Sequence, residues 1–291
     1  MSAALLVRRP RVQLLVNPHA GSWSHGRVER LHRAFEKAGA TVLLSQCGPD
    51  EPPIADDVDH VCAIGGDGTL KHLVRLAGEA PRTRGVSLYP AGTINLLARE
   101  CRYPRDPDAF ARRVLADAPL RQHHVALAGD VPFFVCASVG PDSFAVAGVS
   151  LRLKRLIGRT AYGVAFLAVL ARWPRPRLRL RDGERDIACE AVYIAKGRFF
   201  AGPWSFAPQA SVDDPTLHVV ALHRATRLHY LRFLALLLLG RSLVGRRGIT
   251  CLRTRALTIE GADGAPLQAD GDIVAHLPVT LGIASKPVPF A

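Results

Sequence analysis

The run Ile64-Gly65-Gly66-Asp67-Gly68-Thr69 constrains this chain more than any other segment. It closes an apolar stretch, Val61-Cys62-Ala63-Ile64, that reads as a buried strand, and it precedes a helical pattern from Leu70 to Leu76. Glycines at such a junction leave backbone N–H groups uncovered by any side chain. The helix that follows turns its unpaired N–H groups and the positive end of its dipole toward the same place. Strand, glycine turn and helix in that order suit a polyphosphate, with Asp67 able to hold a metal ion or a ribose hydroxyl.

The neighbouring segments repeat this logic. Val12 to Val16 reads as a buried strand, followed by a helix from about Gly26 to Ala38 with Val28, Leu31, His32 and Phe35 on one stripe and Gly39 closing it. Thr41 to Leu44 and Gly85 to Leu88 are further strands, and the turn Pro90-Ala91-Gly92-Thr93 opens a helix from Ile94 to Arg99. This alternation predicts a parallel sheet with helices on both faces, whose ligands lie at the carboxyl edge of the strands. Farther on, short β-type runs take over: His124 to Leu127, Phe133 to Val139, Leu178 to Leu180, Cys189 to Ala195, Leu217 to Leu222, Ala256 to Ile259 and Val279 to Gly282. Asp182-Gly183 and Asp263-Gly264 are hairpin-type turns between them. The fold class expected is α/β in two domains: an N-terminal parallel-sheet α/β domain over residues 1–124, and a mostly antiparallel β domain with helical insertions over residues 125–291.

Length and composition agree with that division. A chain of 291 residues can bury two cores, and 48% hydrophobic with 22% charged residues describes a folded protein. The six cysteines form no CxxC pair and several lie in apolar runs, which predicts buried free thiols, a reducing cytosol and no structural zinc. Arg8, Arg9 and Arg11 interrupt the short apolar N-terminus, so no signal peptide is expected there. The apolar stretch Phe233 to Leu239 is too short for a membrane span. Net charge is +13, and between Ser150 and Arg181 nine basic residues stand without an acidic one. Such a surface attracts polyanions, among which an anionic membrane face fits better than nucleic acid, since no basic helix interleaved with aromatics is present. Tyr162 to Leu170 and Tyr230 to Leu239 read as buried core helices, or else as an acyl-chain pocket or a face resting on a membrane. The histidines His19, His25 and His32 lack metal-ligand spacing.

Four segments carry chemistry, and each lies at a strand end: Asn17-Pro18-His19-Ala20-Gly21, Ser45, Gly65 to Thr69, and Gly92-Thr93-x-Asn95. In that order and spacing, with Asp270-Gly271-Asp272 near the C-terminus, the set resembles the diacylglycerol kinase catalytic domain family, which includes bacterial lipid kinases and the sphingosine and ceramide kinases. The resemblance runs from about Val12 to Ile283.

The resemblance implies that Asn17, Pro18, His19, Ala20, Gly21, Ser45, Gly65, Gly66, Asp67, Gly68, Thr69, Gly92, Thr93 and Asn95 serve ATP with Mg2+. It places the catalytic base on Asp272, with Asp270 supporting it or binding magnesium and Asp67 acting at the phosphates. A second, structural metal position falls on the turn from Ser211 to Thr216, with the Asp214 carboxylate and the Ser211 and Thr216 carbonyls as ligands; by its residues alone, Asp213-Asp214 is equally a hairpin turn. The implied protein is cytoplasmic and peripheral to the inner face of the membrane, acting on a lipid alcohol. Diacylglycerol is the first expectation, and a sphingoid base or ceramide, a pyridine dinucleotide as in NAD kinase, or nucleotide binding without catalysis are the alternatives. The chain departs from the family pattern at Lys71-His72, where relatives carry Asn-Glu, at Leu96 where many carry Asp, at Asp272 in place of Glu, and at Pro215 in place of a turn glycine.

Overall fold

The structure, a computed structural model, describes residues 8–18, 20, 24–47, 54–79, 85–92, 95–148, 169, 173–183 and 185–291. The chain divides into two compact units, Met1–Arg121 with Val288–Ala291, and Gln122–Pro287. The C-terminal residues, expected in the second domain, thus return to the first.

In the first unit, β1 (Arg11–Val16), α1 (His25–Lys37), β2 (Thr41–Gln46), β3 (His60–Gly65), α2 (Asp67–Glu79), β4 (Gly85–Pro90), α3 (Leu96–Glu100) and α4 (Pro107–Val114) follow in order. The strands lie β2-β1-β3-β4 in space, all parallel, with β18 (Val288–Phe290) beside β4. Every residue of β3 and β4 is buried, as both faces of a central parallel strand must be, whereas edge strand β2 is half-exposed. Helix α1 buries Val28, Leu31, Ala34 and Phe35, with the expected His32 at the rim of that stripe. Helix α4 escaped the sequence reading although its start is a standard one: Asp106 accepts the Ala109 N–H at 2.8 Å and Pro107 takes the first turn. Its Phe110 ring makes edge contacts with Tyr89 and Phe35, centroids 5.0 and 6.2 Å apart, which seats α4 over the sheet.

The second unit is a sandwich of two antiparallel sheets. It contains β6 (Ala126–Ala128), β7 (Val131–Phe133), β8 (Cys136–Val139), α5 (Pro141–Gly148), β9 (Leu178–Asp182), β10 (Arg185–Cys189), β11 (Ala191–Ala195), β12 (Leu217–Leu222), α6 (Arg227–Leu238), β13 (Ile249–Thr254), β14 (Ala256–Glu260), β15 (Pro266–Ala269), β16 (Asp272–His276) and β17 (Val279–Ile283), after the short connecting strand β5 (Arg121–His123). One sheet runs β10-β9-β14-β17-β6-β7, the other β13-β12-β11-β8-β15-β16. Alternate residues of both, among them Leu180, Ile259 and Leu281 against Val139, Ile194 and Leu267, form the shared core.

Two expected single strands are each broken where the chain passes between these sheets. Cys189 to Ala195 is interrupted at Glu190, whose carboxylate is held by Arg175 and by the Ala225 N–H at 2.7 Å. Phe133 to Val139 is interrupted at Phe134 and Val135, whose N–H groups leave the ladder for a side chain described below. The helix expected at Tyr162 to Leu170 lies outside the described residues except for Val169, as do Arg152, Lys154, Arg155, Arg159 and Arg172. Of the remaining arginines in that basic stretch, Arg175, Arg179 and Arg181 pair with Glu190, Asp186 and Glu260. Four of the six free cysteines are buried, and burial pushes the Cys62 and Cys189 thiols up to about 12. No helix among the described residues is long and apolar enough to cross a membrane.

His60, buried at the start of β3, stands 2.9 Å from the Ser87 hydroxyl, and burial depresses its pKa from 6.5 to about 3. A depressed folded-state pKa means that the unfolded chain takes up a proton first as pH falls. The stability His60 contributes is therefore complete above pH 6.5 and is lost as pH drops toward 3, with a slope of about 1.4 kcal/mol per pH unit. His60→Asn should flatten that acid limb in urea titrations at successive pH values; an unchanged slope would remove His60 as its source.

Candidate functional site

The first unit brings together the two glycine turns that end β3 and β4. Ala91 and Gly92 donate their N–H groups to the Gly65 carbonyl at 2.9 and 3.0 Å, so one turn lies directly on the other. The contact is backbone on backbone. A Cβ added at Gly66 would stand 3.2 Å from the Gly92 Cα, one added at Gly92 would collide with the Gly66 Cα, and one at Gly65 would collide with the Thr69 side chain. These glycines are therefore required by the packing of the turns on each other, in addition to any ligand they approach.

Side chains tie the junction further. Asp67, 6% exposed, receives the Leu96 and Leu97 N–H groups on its two carboxylate oxygens at 3.0 and 3.1 Å. It opens α2 and at the same time satisfies the first donors of α3. Asn95 sits in the left-handed region at φ 56°, accepting from Gly92 N at 2.9 Å and donating to Gly92 O at 2.8 Å. Asn17, at the end of β1, donates from Nδ2 to the Thr69 hydroxyl at 2.9 Å and from its backbone N to Ile64 O. Asn17, Gly65, Gly66, Asp67, Thr69, Gly92 and Asn95 thus form one assembly at the carboxyl edge of β1, β3 and β4. Pro18 and Ala20 continue from Asn17, and Gly68 is exposed on the first turn of α2. Ser45, on β2 beyond β1, accepts from Gln13 Nε2 at 2.9 Å and stands apart from the junction. His19, Gly21 and Thr93 lie outside the described residues.

Arg27, which the sequence reading passed over, also reaches this edge. Its guanidinium lies 5.4 Å from the centre of the Tyr89 ring and donates to the Pro90 carbonyl at 3.3 Å, immediately before the second turn. A cation at that position suits an anion held by the turns. Its only sequence signal was its place in the first turn of the helix after the Asn17 segment.

In the second unit, the Asp270-Gly271-Asp272 turn joins β15 to β16. Asp270 adopts φ 51°, and its carboxylate receives three backbone N–H groups: Phe134 at 2.7 Å, Val135 at 3.0 Å and Cys136 at 3.0 Å. These are the donors released by the break between β7 and β8. Asp270 thereby anchors the turn, with both carboxylate oxygens directed to main chain. Asp272, the first residue of β16, is partly buried. Behind the turn runs a polar network that sequence reasoning missed. Gln268 accepts the Gly271 N–H at 3.1 Å and donates to Ser138 Oγ at 2.7 Å; Ser138 donates to Asp142, which also receives the Tyr193 hydroxyl at 2.9 Å. Burial pushes the Asp142 carboxyl above the usual carboxylate range, against the lowering pull of the Ser138 and Tyr193 donations.

In the turn for which the resemblance implies a structural metal, main-chain carbonyls meet a lysine. The Ser211 and Asp214 carbonyls, with that of Val212, face the ammonium of Lys196, while the Thr216 N–H donates to Asp214 O at 2.8 Å. Among the described residues no cluster of three or more His, Cys, Asp or Glu side chains could hold a metal ion. On the far side of β12 and β13, a cavity of about 760 Å3 is lined by Trp204, Phe206, Val219, Leu237, Leu243 and other residues.

Comparison with known proteins accounts for both units. Residues 11–127 match the diacylglycerol kinase catalytic domain, and residues 136–289 match the YegS C-terminal NAD kinase beta sandwich-like domain. A Chromohalobacter salexigens protein named "Probable lipid kinase YegS-like" is 29% identical over 72% of this chain and 63% of its own length. A Pseudomonas putida protein of the same name is 30% identical over 58% of this chain and 57% of its own. The matched regions thus span less than two thirds of these two relatives. A Bacillus anthracis crystal structure described as a candidate diacylglycerol kinase superposes with a TM-score of 0.74, covering 94% of each chain at 19% identity, which is a likeness of fold.

Replacing Asp67 by Ala should leave the Leu96 and Leu97 N–H groups without their acceptor and cost about 2 kcal/mol of stability in urea denaturation. A loss below about 0.5 kcal/mol would show that the bond between the turns is dispensable.

Proposed function

From the membership of this chain in the YegS-like, diacylglycerol-kinase-type lipid kinase family, we propose that it transfers the γ-phosphate of ATP to the hydroxyl of a lipid alcohol, diacylglycerol-like in the first instance. The observation that carries the reading is the pair of interlocked glycine turns. Asn17, Gly66, Asp67, Gly68, Thr69, Gly92 and Asn95 gather at one strand edge, beside the N-terminus of α2 and the Arg27 cation. Such a bed fixes phosphate oxygens by main-chain donors, which is where most of the acceleration of phosphoryl transfer arises.

Asp272 is the proposed base. As the acceptor oxygen forms its bond to the γ-phosphorus, the bond between that phosphorus and the β,γ-bridging oxygen breaks, ADP departs, and the hydroxyl proton passes to the Asp272 carboxylate. Asp270, clamped by three N–H groups, holds the turn from which Asp272 projects. Mg2+ bound with the nucleotide would screen the phosphate charge. At the junction Asp67 would offer it a carboxylate whose two oxygens also accept the Leu96 and Leu97 N–H groups, and Thr69 a hydroxyl that also accepts from Asn17.

The lipid acceptor is supported by two features of the second unit. The cavity of about 760 Å3 beside α6 has apolar and aromatic walls, with Arg185, Arg241 and Arg253 also lining it. Next to it, Leu228, Leu231, Leu238, Leu239 and Val244 are 52–76% exposed. With Arg232, Arg241, Arg246 and Arg247 exposed among them, this surface suits peripheral contact with an anionic membrane.

Incubation with γ-labelled ATP and mixed micelles tests the proposal. Labelled lipid is expected, and Asp272→Asn should reduce its formation at least 100-fold while leaving nucleotide binding intact. With NAD+ also present, label appearing in NADP+ instead of lipid, or tight ATP binding without transfer, would replace this reading by the dinucleotide or non-catalytic one. Association with anionic liposomes should weaken as salt is raised; equal pelleting with neutral liposomes would remove the electrostatic part of the membrane proposal.

A further inference from the structure

Lys196 follows β11 directly, and its side chain is fully buried. Its Nζ lies 2.7 Å from Ser211 O, 3.0 Å from Val212 O and 2.6 Å from Asp214 O. Three carbonyl acceptors require three N–H donors, and only the charged ammonium has them. Backbone carbonyls converging on one point are how a loop receives a cation. Here the point is filled by a cation the chain itself carries.

We propose that Lys196 is a resident cation that takes the place of a divalent metal in the 211–216 turn, so that the second unit folds and holds its turn geometry without Mg2+ or Ca2+. Two observations support this beyond the distances. Mg2+ demands near-octahedral oxygen coordination at about 2.0–2.1 Å. The Ser211, Val212 and Asp214 carbonyls instead stand at hydrogen-bond length around a tetrahedral donor that leaves no room at their focus. The lysine is also wired to both sides of the turn. Its backbone N–H donates to Val135 O at 2.8 Å, and Val135 N is one of the three groups gripping Asp270. His124 N donates to Val212 O at 3.0 Å on the other side. The ammonium therefore clamps the 211–216 turn to the segment that positions Asp270-Gly271-Asp272.

A covalently held cation cannot be chelated or exchanged. If the chain transfers phosphate as proposed above, and this clause alone rests on that reading, its divalent-ion requirement should follow the nucleotide only.

The test uses the nucleotide-free full chain. Its melting temperature should be the same in excess EDTA and in millimolar Mg2+, and Mn2+ titrated into it should give no bound-ion signal by electron paramagnetic resonance that Asp214→Asn abolishes. Lys196→Met, which keeps an unbranched side chain one atom shorter and removes the charge, should melt about 10 °C lower and exchange the amides of residues 134–136 faster. The proposal is overturned if EDTA lowers the wild-type melting temperature by more than about 2 °C, if an Asp214-dependent Mn2+ signal is present, or if Lys196→Met melts like wild type. Should Lys196→Met fail to fold, the chelator and Mn2+ measurements on the wild type decide alone. A protein that transfers no phosphate yet melts independently of chelator loses the kinase reading and keeps this one.

Discussion

The Asp67 carboxylate, bonded to the Leu96 and Leu97 N–H groups across the contact of Gly66 with Gly92, is the interaction on which the first unit depends. A parallel sheet brings the ends of neighbouring strands to one edge but does not fix the loops that leave them. Here the loops after β3 and β4 are locked at main-chain distance, which excludes a Cβ at Gly92 and leaves one at Gly66 only a tight fit. The acidic side chain supplies the bond that a glycine cannot make. Asn95 and Asn17 extend the same lock to the second turn and to the end of β1. A junction assembled in this way is preorganised by packing, and it needs few charged side chains to define its shape.

The second unit uses the same device with different residues. Breaking a strand between β7 and β8 frees three consecutive N–H groups, and Asp270 collects all three. Breaking another between β10 and β11 allows Glu190 to collect Arg175 and the Ala225 N–H. At the first break the carboxylate receives the released donors themselves; at the second the Glu190 N–H still donates to Leu222 O while its carboxylate ties in Arg175 and the Ala225 N–H. Lys196 is the mirror case, a cation placed to receive carbonyls. Irregular backbone in this sandwich is thus matched by charge of the complementary sign.

Much of this could be read from the sequence. The glycines at 65, 66 and 92 and the carboxylate at 67 stood out because their type and their place after apolar runs are local properties. The alternation of strands and helices, and later of short strands and turns, gave the two-unit α/β architecture for the same reason. Partners distant in sequence could not be read. Asp67 meets residues 29 and 30 positions away, and Asp270 meets residues more than 130 away. The strand breaks at Phe134-Val135 and Glu190 lay inside apolar runs that look continuous, since alternation persists on both sides. Lys196 had one weak signal, a lone lysine ending the apolar run Val192-Tyr193-Ile194-Ala195. The metal at the turn from Ser211 to Thr216 was implied by the family resemblance alone, and nothing local in that turn indicates that the Lys196 ammonium meets its carbonyls.

The account's central claim is that the two glycine turns act as one phosphate-holding unit. Amide hydrogen exchange across residues 65–70 and 91–97, with and without Mg·ATP, tests it most directly. The account predicts that nucleotide slows exchange in both segments together and over the same concentration range. Slowing in one segment alone, or nucleotide binding that leaves both unchanged, would contradict it.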